Sequence, residues 1–148
     1  MSRCNVNKAF YASQLDAIFI KIYDYNGAVI ARACVDVMQG MFRTQVEALA
    51  FIVVDFREVG SASLQDSDAA LHVPLFNKIV GFSADYSSIQ LVCILDPVNS
   101  NNEIILERLN RVKSFYKEIP EQPSAFYSWR DAMDQIGAPH NYIVDYPN

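Results

Sequence analysis

Leu49–Phe56 reads L-A-F-I-V-V-D-F, a nearly continuous run of apolar and β-branched residues that ends next to an aspartate. A strand exposed on one face alternates apolar and polar residues, whereas one covered on both faces stays apolar throughout. The run therefore predicts a strand buried between two layers, as in a parallel sheet. A second such run, I-Q-L-V-C-I-L at Ile89–Leu95, is stopped by Asp96-Pro97. Two buried strands separated by a long helical pattern imply a crossover connection and an α/β fold.

Working outward, Leu15–Tyr25 (L-D-A-I-F-I-K-I-Y-D-Y) places Ile18, Ile20 and Ile22 on one strand face. Phe10–Ser13 suits a shorter strand before it, joined by a tight turn into a hairpin. Asn26-Gly27 ends the pair. Ile30, Cys34, Val37, Met38 and Met41 recur at helical spacing and predict a helix from about Ala28 to Thr44, weakened slightly by Gly40. After the central strand, Ser61–Gln65 reads as loop. Leu71, Leu75, Ile79 and Phe82 make another helical stripe; Pro74 either kinks that helix or begins it. Asn101-Asn102-Glu103 caps a third helix carrying Ile105, Leu109, Val112 and Tyr116 on one face, which Pro120 and Pro123 end. Ser124–Tyr127 reads as a short edge strand. Ser128 and Asp131 form an S-x-x-D capping pattern for a last helix with Trp129, Ala132, Met133 and Ile136 inward and Gly137 at its end. The expectation is one α/β domain: a mixed, mostly parallel sheet of four to five strands covered by about four helices, with its core from about residue 10 to 137 and an irregular or extended tail beyond.

The totals bound the function. The 148 residues suit one domain, and a net charge of −5 disfavours nucleic acid, whose phosphates an acidic surface repels. The three cysteines, Cys4, Cys34 and Cys93, form no C-x-x-C pair, which fits a reducing compartment. The opening M-S-R-C-N-V-N-K lacks an apolar signal core, and the longest apolar runs, such as Ala48–Val54, are far too short to span a membrane. A cytoplasmic protein with no membrane insertion is expected.

Ligand sites in open α/β sheets gather beyond the carboxyl ends of the parallel strands. Asp55 and Asp96 fall there, with Asn99 and Asn101 in the second strand-end loop and Ser61, Ser63, Asp66, Ser67 and Asp68 between the first strand and its helix. Oxygen ligands of this kind suit a hard cation such as Mg²⁺. The companions for phosphoryl transfer are missing: there is no Walker-type glycine loop, and no lysine is placed at a strand end. Aspartates at strand ends are usually turn formers and helix caps, and Asp66 and Asp68 would stabilise a helix start by about 0.3–1 kcal/mol. There is no G-x-S-x-G elbow, and His72 and His140 stand far apart in sequence. No catalytic constellation, cofactor or metal set is assigned.

The element order and two stretches resemble the STAS domains, in particular the divergent STAS-like group related to anti-sigma-factor antagonists. The stretches are I-V-V-D-F-R-E-V at Ile52–Val59, similar to that family's central strand, and S-A-F-Y-S-W-R-D-A-M-D-Q-I-G at Ser124–Gly137, similar to its closing strand and helix. Antagonists of the family carry Asp-Ser-Ser-Gly at the helix start, where a partner kinase phosphorylates a serine. Here Asp66-Ser67-Asp68-Ala69 keeps the first hydroxyl, while Asp68 and Ala69 depart from the pattern; a fixed charge at Asp68 would stand in for the phosphorylated state.

Three functions follow. The first is a non-catalytic regulatory module that meets an unidentified protein partner through Gly60–Asp68. The second is a small-molecule or lipid carrier, since the resemblance extends to lipid-binding folds and the chain holds nine Phe and eight Tyr. The third is a metal-dependent enzyme using Asp55, Asp66 and Asp96. Beyond the last helix, Tyr142, Ile143, Val144 and Tyr146 would either pack back on the sheet or add a strand to a neighbouring copy, which makes a homodimer one expectation.

Overall fold

A computed structural model of the chain describes residues 8–23, 27–59, 89–99, 102–113 and 124–147. Its strands are β1 (Lys8–Ala12), β2 (Ala17–Lys21), β3 (Phe51–Asp55), β4 (Gln90–Ile94) and β5 (Ser124–Phe126). Its helices are α1 (Gly27–Gln39), α2 (Arg43–Glu47), α3 (Asn102–Lys113) and α4 (Trp129–Ile136). The strands form one sheet in the order β1-β2-β3-β4-β5. β1 and β2 are an antiparallel hairpin closed by a 3-10 turn at Ser13–Leu15; β2, β3, β4 and β5 run parallel. The mixed, mostly parallel α/β architecture expected from the alternation of elements is the one the chain adopts. The expected helix after Asp66, with Leu71, His72 and Pro74, lies outside the described residues, as do Ser61, Ser63, Asp66, Ser67, Asp68 and Asn101.

Sequential strand order has a consequence for the layers. Right-handed crossovers that step one strand at a time in one direction all pass over the same face of the sheet. The packing agrees. On that first face Ile18, Ile20, Ile22, Val54, Phe56, Cys93 and Leu95 are buried against Val35 and Met38 of α1, Val46 of α2 and Ile105 of α3. Fully burying each such aliphatic side chain contributes about 1.5–3 kcal/mol. On the second face Phe19, Val53, Val92 and Ile94 meet Ala132, Met133 and Ile136 of α4, with Trp129, Tyr142, Val144 and Tyr146 packed alongside. The two-residue period of the strands sorts the side chains: Val54 lies on the first face, Val53 and Asp55 on the second.

Two expectations need correction. The first helix ends at Gln39, not near Thr44: Gly40 and Met41 donate to Val37 and Met38 in a tightened turn, and the chain restarts as α2. There the Phe42 N–H donates to Gln45 Oε1 at 2.9 Å, so the polar Gln45 begins a new helix rather than extending the old one. The second strand stops at Lys21, short of Tyr25. A lysine therefore does close a strand, and the register sets it beside Asp55.

α4 follows its sequence closely. Ser128 Oγ accepts the Asp131 N–H at 3.1 Å, and Gly137 ends the helix in the left-handed conformation at φ 74°.

Candidate functional site

The carboxyl ends of β2, β3, β4 and β5 lie together along one edge of the sheet, and Asp55 is the residue on which that edge is built. It is the buried charged side chain among the described residues, 4% exposed. A carboxylate taken out of water needs a cation and hydrogen bonds, and Arg57 supplies both. The Arg57 N–H and Nε donate to Asp55 Oδ1, each at 3.0 Å, and Nη2 donates to Oδ2 at 2.9 Å. The two-residue spacing makes this local: the chain turns directly after β3, which brings the guanidinium back over the strand end. Side-chain hydrogen bonding to Asp55 holds the Arg57 guanidinium above its ordinary pKa, against the opposing effect of burial.

The pair is enclosed by aromatic groups. The Arg57 guanidinium lies over the Trp129 ring, 5.3 Å from its centre. Trp129 in turn is 6.0 Å from Phe19, and Phe19 is 5.7 Å from Tyr142, centre to centre. Tyr146 completes the group; its buried hydroxyl has no hydrogen-bond partner in the described structure. Burial, reinforced by the charge of Asp55, pushes the Tyr146 phenol well above its ordinary pKa. At the edge of the group the Lys21 ammonium lies over the Tyr23 ring at 5.7 Å. Chemically, Asp55 is an engaged carboxylate: both of its oxygens accept from Arg57, and the pair ties the end of β3 to the start of α4.

Asp96 plays a different part. Its Oδ1 accepts the Val98 N–H at 3.0 Å, closing a tight turn, and its backbone oxygen accepts from Asn102 Nδ2 at 2.8 Å. Asn99 Nδ2 donates to the Val59 carbonyl at 2.6 Å and so fastens the loop after β4 to the loop after β3. The structure thus joins the roots of the two loops singled out from sequence, while Asp55 and Asp96 serve separate turns rather than a shared centre. Among the described residues no three His, Cys, Asp or Glu side chains gather as metal ligands do. Cys93 is fully buried, and its thiol is pushed up to about 12 by that burial.

Three residues of this region were not singled out from sequence: Arg57, Lys21 and Trp129 as a partner of Arg57. The D-x-R spacing at Asp55–Arg57 was a usable signal, because a buried strand that ends in an aspartate calls for a nearby cation. A further feature is surface hydrophobicity. Among the described residues the large exposed apolar side chains are Phe42, Val98, Ile104, Tyr127 and Ile143. Val98 follows β4, Ile104 lies in the first turn of α3 and Tyr127 follows β5, so three of the five belong to the carboxyl edge.

No helix among the described residues is long and apolar enough to cross a membrane. Searches of family models, curated proteins and solved structures return no match to this chain.

Proposed function

We propose that the chain is a regulatory protein-interaction module of STAS-like fold that meets its partner at the carboxyl edge of the parallel strands. The observation that carries this reading is the exposure of Val98, Ile104 and Tyr127 at that edge, with Val98 on a turn held by Asp96, Asn99 and Asn102. Val98 is 87% exposed. An isolated surface valine is ordinary, but several exposed apolar side chains at one edge, one of them on a hydrogen-bonded turn, suit contact with another protein. The same turn is fastened by Asn99 to Val59, the last described residue before the stretch of sequence that carries Ser67 and Asp68, and a change of charge at Ser67 is the regulatory step this reading expects.

The test is quantitative capture from the native lysate with the intact chain as bait. Wild type is compared with Val98→Ser, Ile104→Ser, Tyr127→Ser and the Ser67→Ala, Asp68→Ala pair. A partner held by wild type and lost at least tenfold in the edge variants supports the reading, a change of about 1.4 kcal/mol or more. Equal recovery of every protein by all variants would refute it. A small molecule that copurifies with wild type would turn attention to the ligand-carrier reading instead.

A further inference from the structure

β1 ends the sheet, with β2 on one side and no strand on the other among the described residues. Backbone groups along a strand point alternately to its two sides. β2 turns one set towards β3: the Asp16 carbonyl accepts the Phe51 N–H at 3.1 Å, and the Ile22 N–H donates to the Asp55 carbonyl at 3.0 Å. Ala17, Phe19 and Lys21 therefore address β1, where the register sets Ala12, Phe10 and Lys8 opposite them. That leaves the N–H and C=O of Ala9 and Tyr11 turned to the open side, and among the described residues neither has a backbone bond there.

An open edge of this kind is a template for another strand, and sheets blunt it with proline, a bulge, an inward charge or a very short strand. β5, at the other end of the sheet, is three residues long. β1 has five, K-A-F-Y-A, matched to β2 residue for residue without a bulge, and its charge stands at its first position.

We propose that β1 pairs antiparallel with β1 of a second copy of this chain, about a two-fold axis at Phe10, and so joins two sheets into one. The strand complements itself in one register. With Phe10 opposite Phe10, Ala9 of each copy faces Tyr11 of the other, and each outward N–H meets an outward C=O. A slip of two residues either way sets Ala9 or Tyr11 against a position outside β1. The side chains agree with that register. Phe10 lies on the second face and meets its counterpart at the close, non-hydrogen-bonded spacing of about 4.5 Å between Cα atoms, where aromatic pairs are favourable. Ala9 and Tyr11, on the first face, set a small side chain against a large one. Lys8 falls opposite Ala12 of the second copy and not opposite its own counterpart. The like charges of Lys8 and Lys21, neighbours across the hairpin, therefore stay at opposite ends of the seam. A seam of this length belongs with weak pairs that form as concentration rises. It runs along the side of the sheet and not across the carboxyl ends of the strands, so the inference stands apart from the proposed function.

The experiment is the mass of the full chain in solution from about 1 μM to about 1 mM, a range that brackets ordinary pairing affinities. Mass should rise from one copy towards two. Ala9→Pro probes the seam: proline there removes an outward donor and no bond to β2, which is where edge strands tolerate it. The dissociation constant should rise at least about tenfold while the melting of dilute protein changes little. Hydrogen exchange on wild type gives a second reading that needs no altered chain. The Ala9 and Tyr11 amides should exchange fast in dilute protein and slowly at high concentration, whereas the Phe10 amide, bonded to β2, should be protected in both. A mass of one copy at every concentration overturns the proposal. So do pairs that folded Ala9→Pro forms as well as wild type, or pairs in which the Ala9 and Tyr11 amides exchange as fast as in dilute protein.

Discussion

The two faces of the sheet are covered by different means. The first face carries mostly aliphatic side chains and is roofed by helices that connect its strands, so its roof cannot come away without breaking the crossovers. The second carries most of the aromatic rings of the sheet, Phe19 buried with Phe10, Phe51 and Phe126 partly buried around it. Its cover is the eight-residue α4, which packs on β4 and β5, and the segment whose Tyr142 stacks beside Phe19 of β2. One face is closed by connectivity, the other by contact. Stability is therefore concentrated on the first face and adjustability on the second. The buried ion pair stands on the second, where it replaces some of the fastening that crossovers provide opposite.

That contrast can be broken by paired truncations. Ile20→Ala, on the first face, should cost about 3–4 kcal/mol, because a fully buried side chain is lost and the helices above cannot collapse into the space. Val144→Ala, in the segment that follows α4 over the second face, should cost less than about 1 kcal/mol. Chemical denaturation of both variants checks this; equal losses would show that this segment is as integral as the crossovers. Next in size is Asp55→Asn. It leaves the Arg57 guanidinium without its carboxylate, and because that side chain is 38% exposed the loss should be about 2–3 kcal/mol, below that for a fully buried pair. Full retention of stability would remove the ion pair from the account of the second face.

The smallest effect appears at high pH and separates the faces chemically. Cys93 on the first face and Tyr146 on the second are both acids whose native pKa is raised by burial, from 9.0 to about 12 for the thiol and upward from 10.0 for the phenol. Their protonated forms persist in the native state after the unfolded chain has begun to ionise. The associated stability is complete below pH 9 and is lost as the pH climbs, at about 1.4 kcal/mol per unit for each group. In denaturation series against pH, Cys93→Ala should abolish the loss between pH 9 and 10. Tyr146→Phe should leave that window alone and flatten the curve above it. The reverse assignment would contradict the burial of one group or the other.

The parallel strands were legible because burial on both faces leaves an uninterrupted apolar run, as at Leu49–Phe56 and Ile89–Leu95. α4 was legible because Ser128 and Gly137 are both terminus signals with a backbone reason. The break at Gly40 was not, since a glycine in a helical pattern is as often tolerated as obeyed, and what ends α1 is the restart at Gln45. Asp55 was legible as a strand-end residue but not as half of an ion pair, because a strand-end aspartate has several uses and Arg57 looks like any charged residue after a turn. The tail offered packing back or pairing with a neighbour; Tyr142, Val144 and Tyr146 pack back on the sheet. Its alternation shows which side chains share a row, but not which surface the row meets.

Strand order matching chain order has a bearing on synthesis. As the polypeptide leaves the ribosome, each strand emerges next to the one already formed, so the sheet can extend from β1 to β5 with no strand waiting for a later neighbour. The first face is roofed as it grows. The second stays bare, Phe19 included, until residues 129–147 have been made. Until those residues are in place the sheet carries an open aromatic surface.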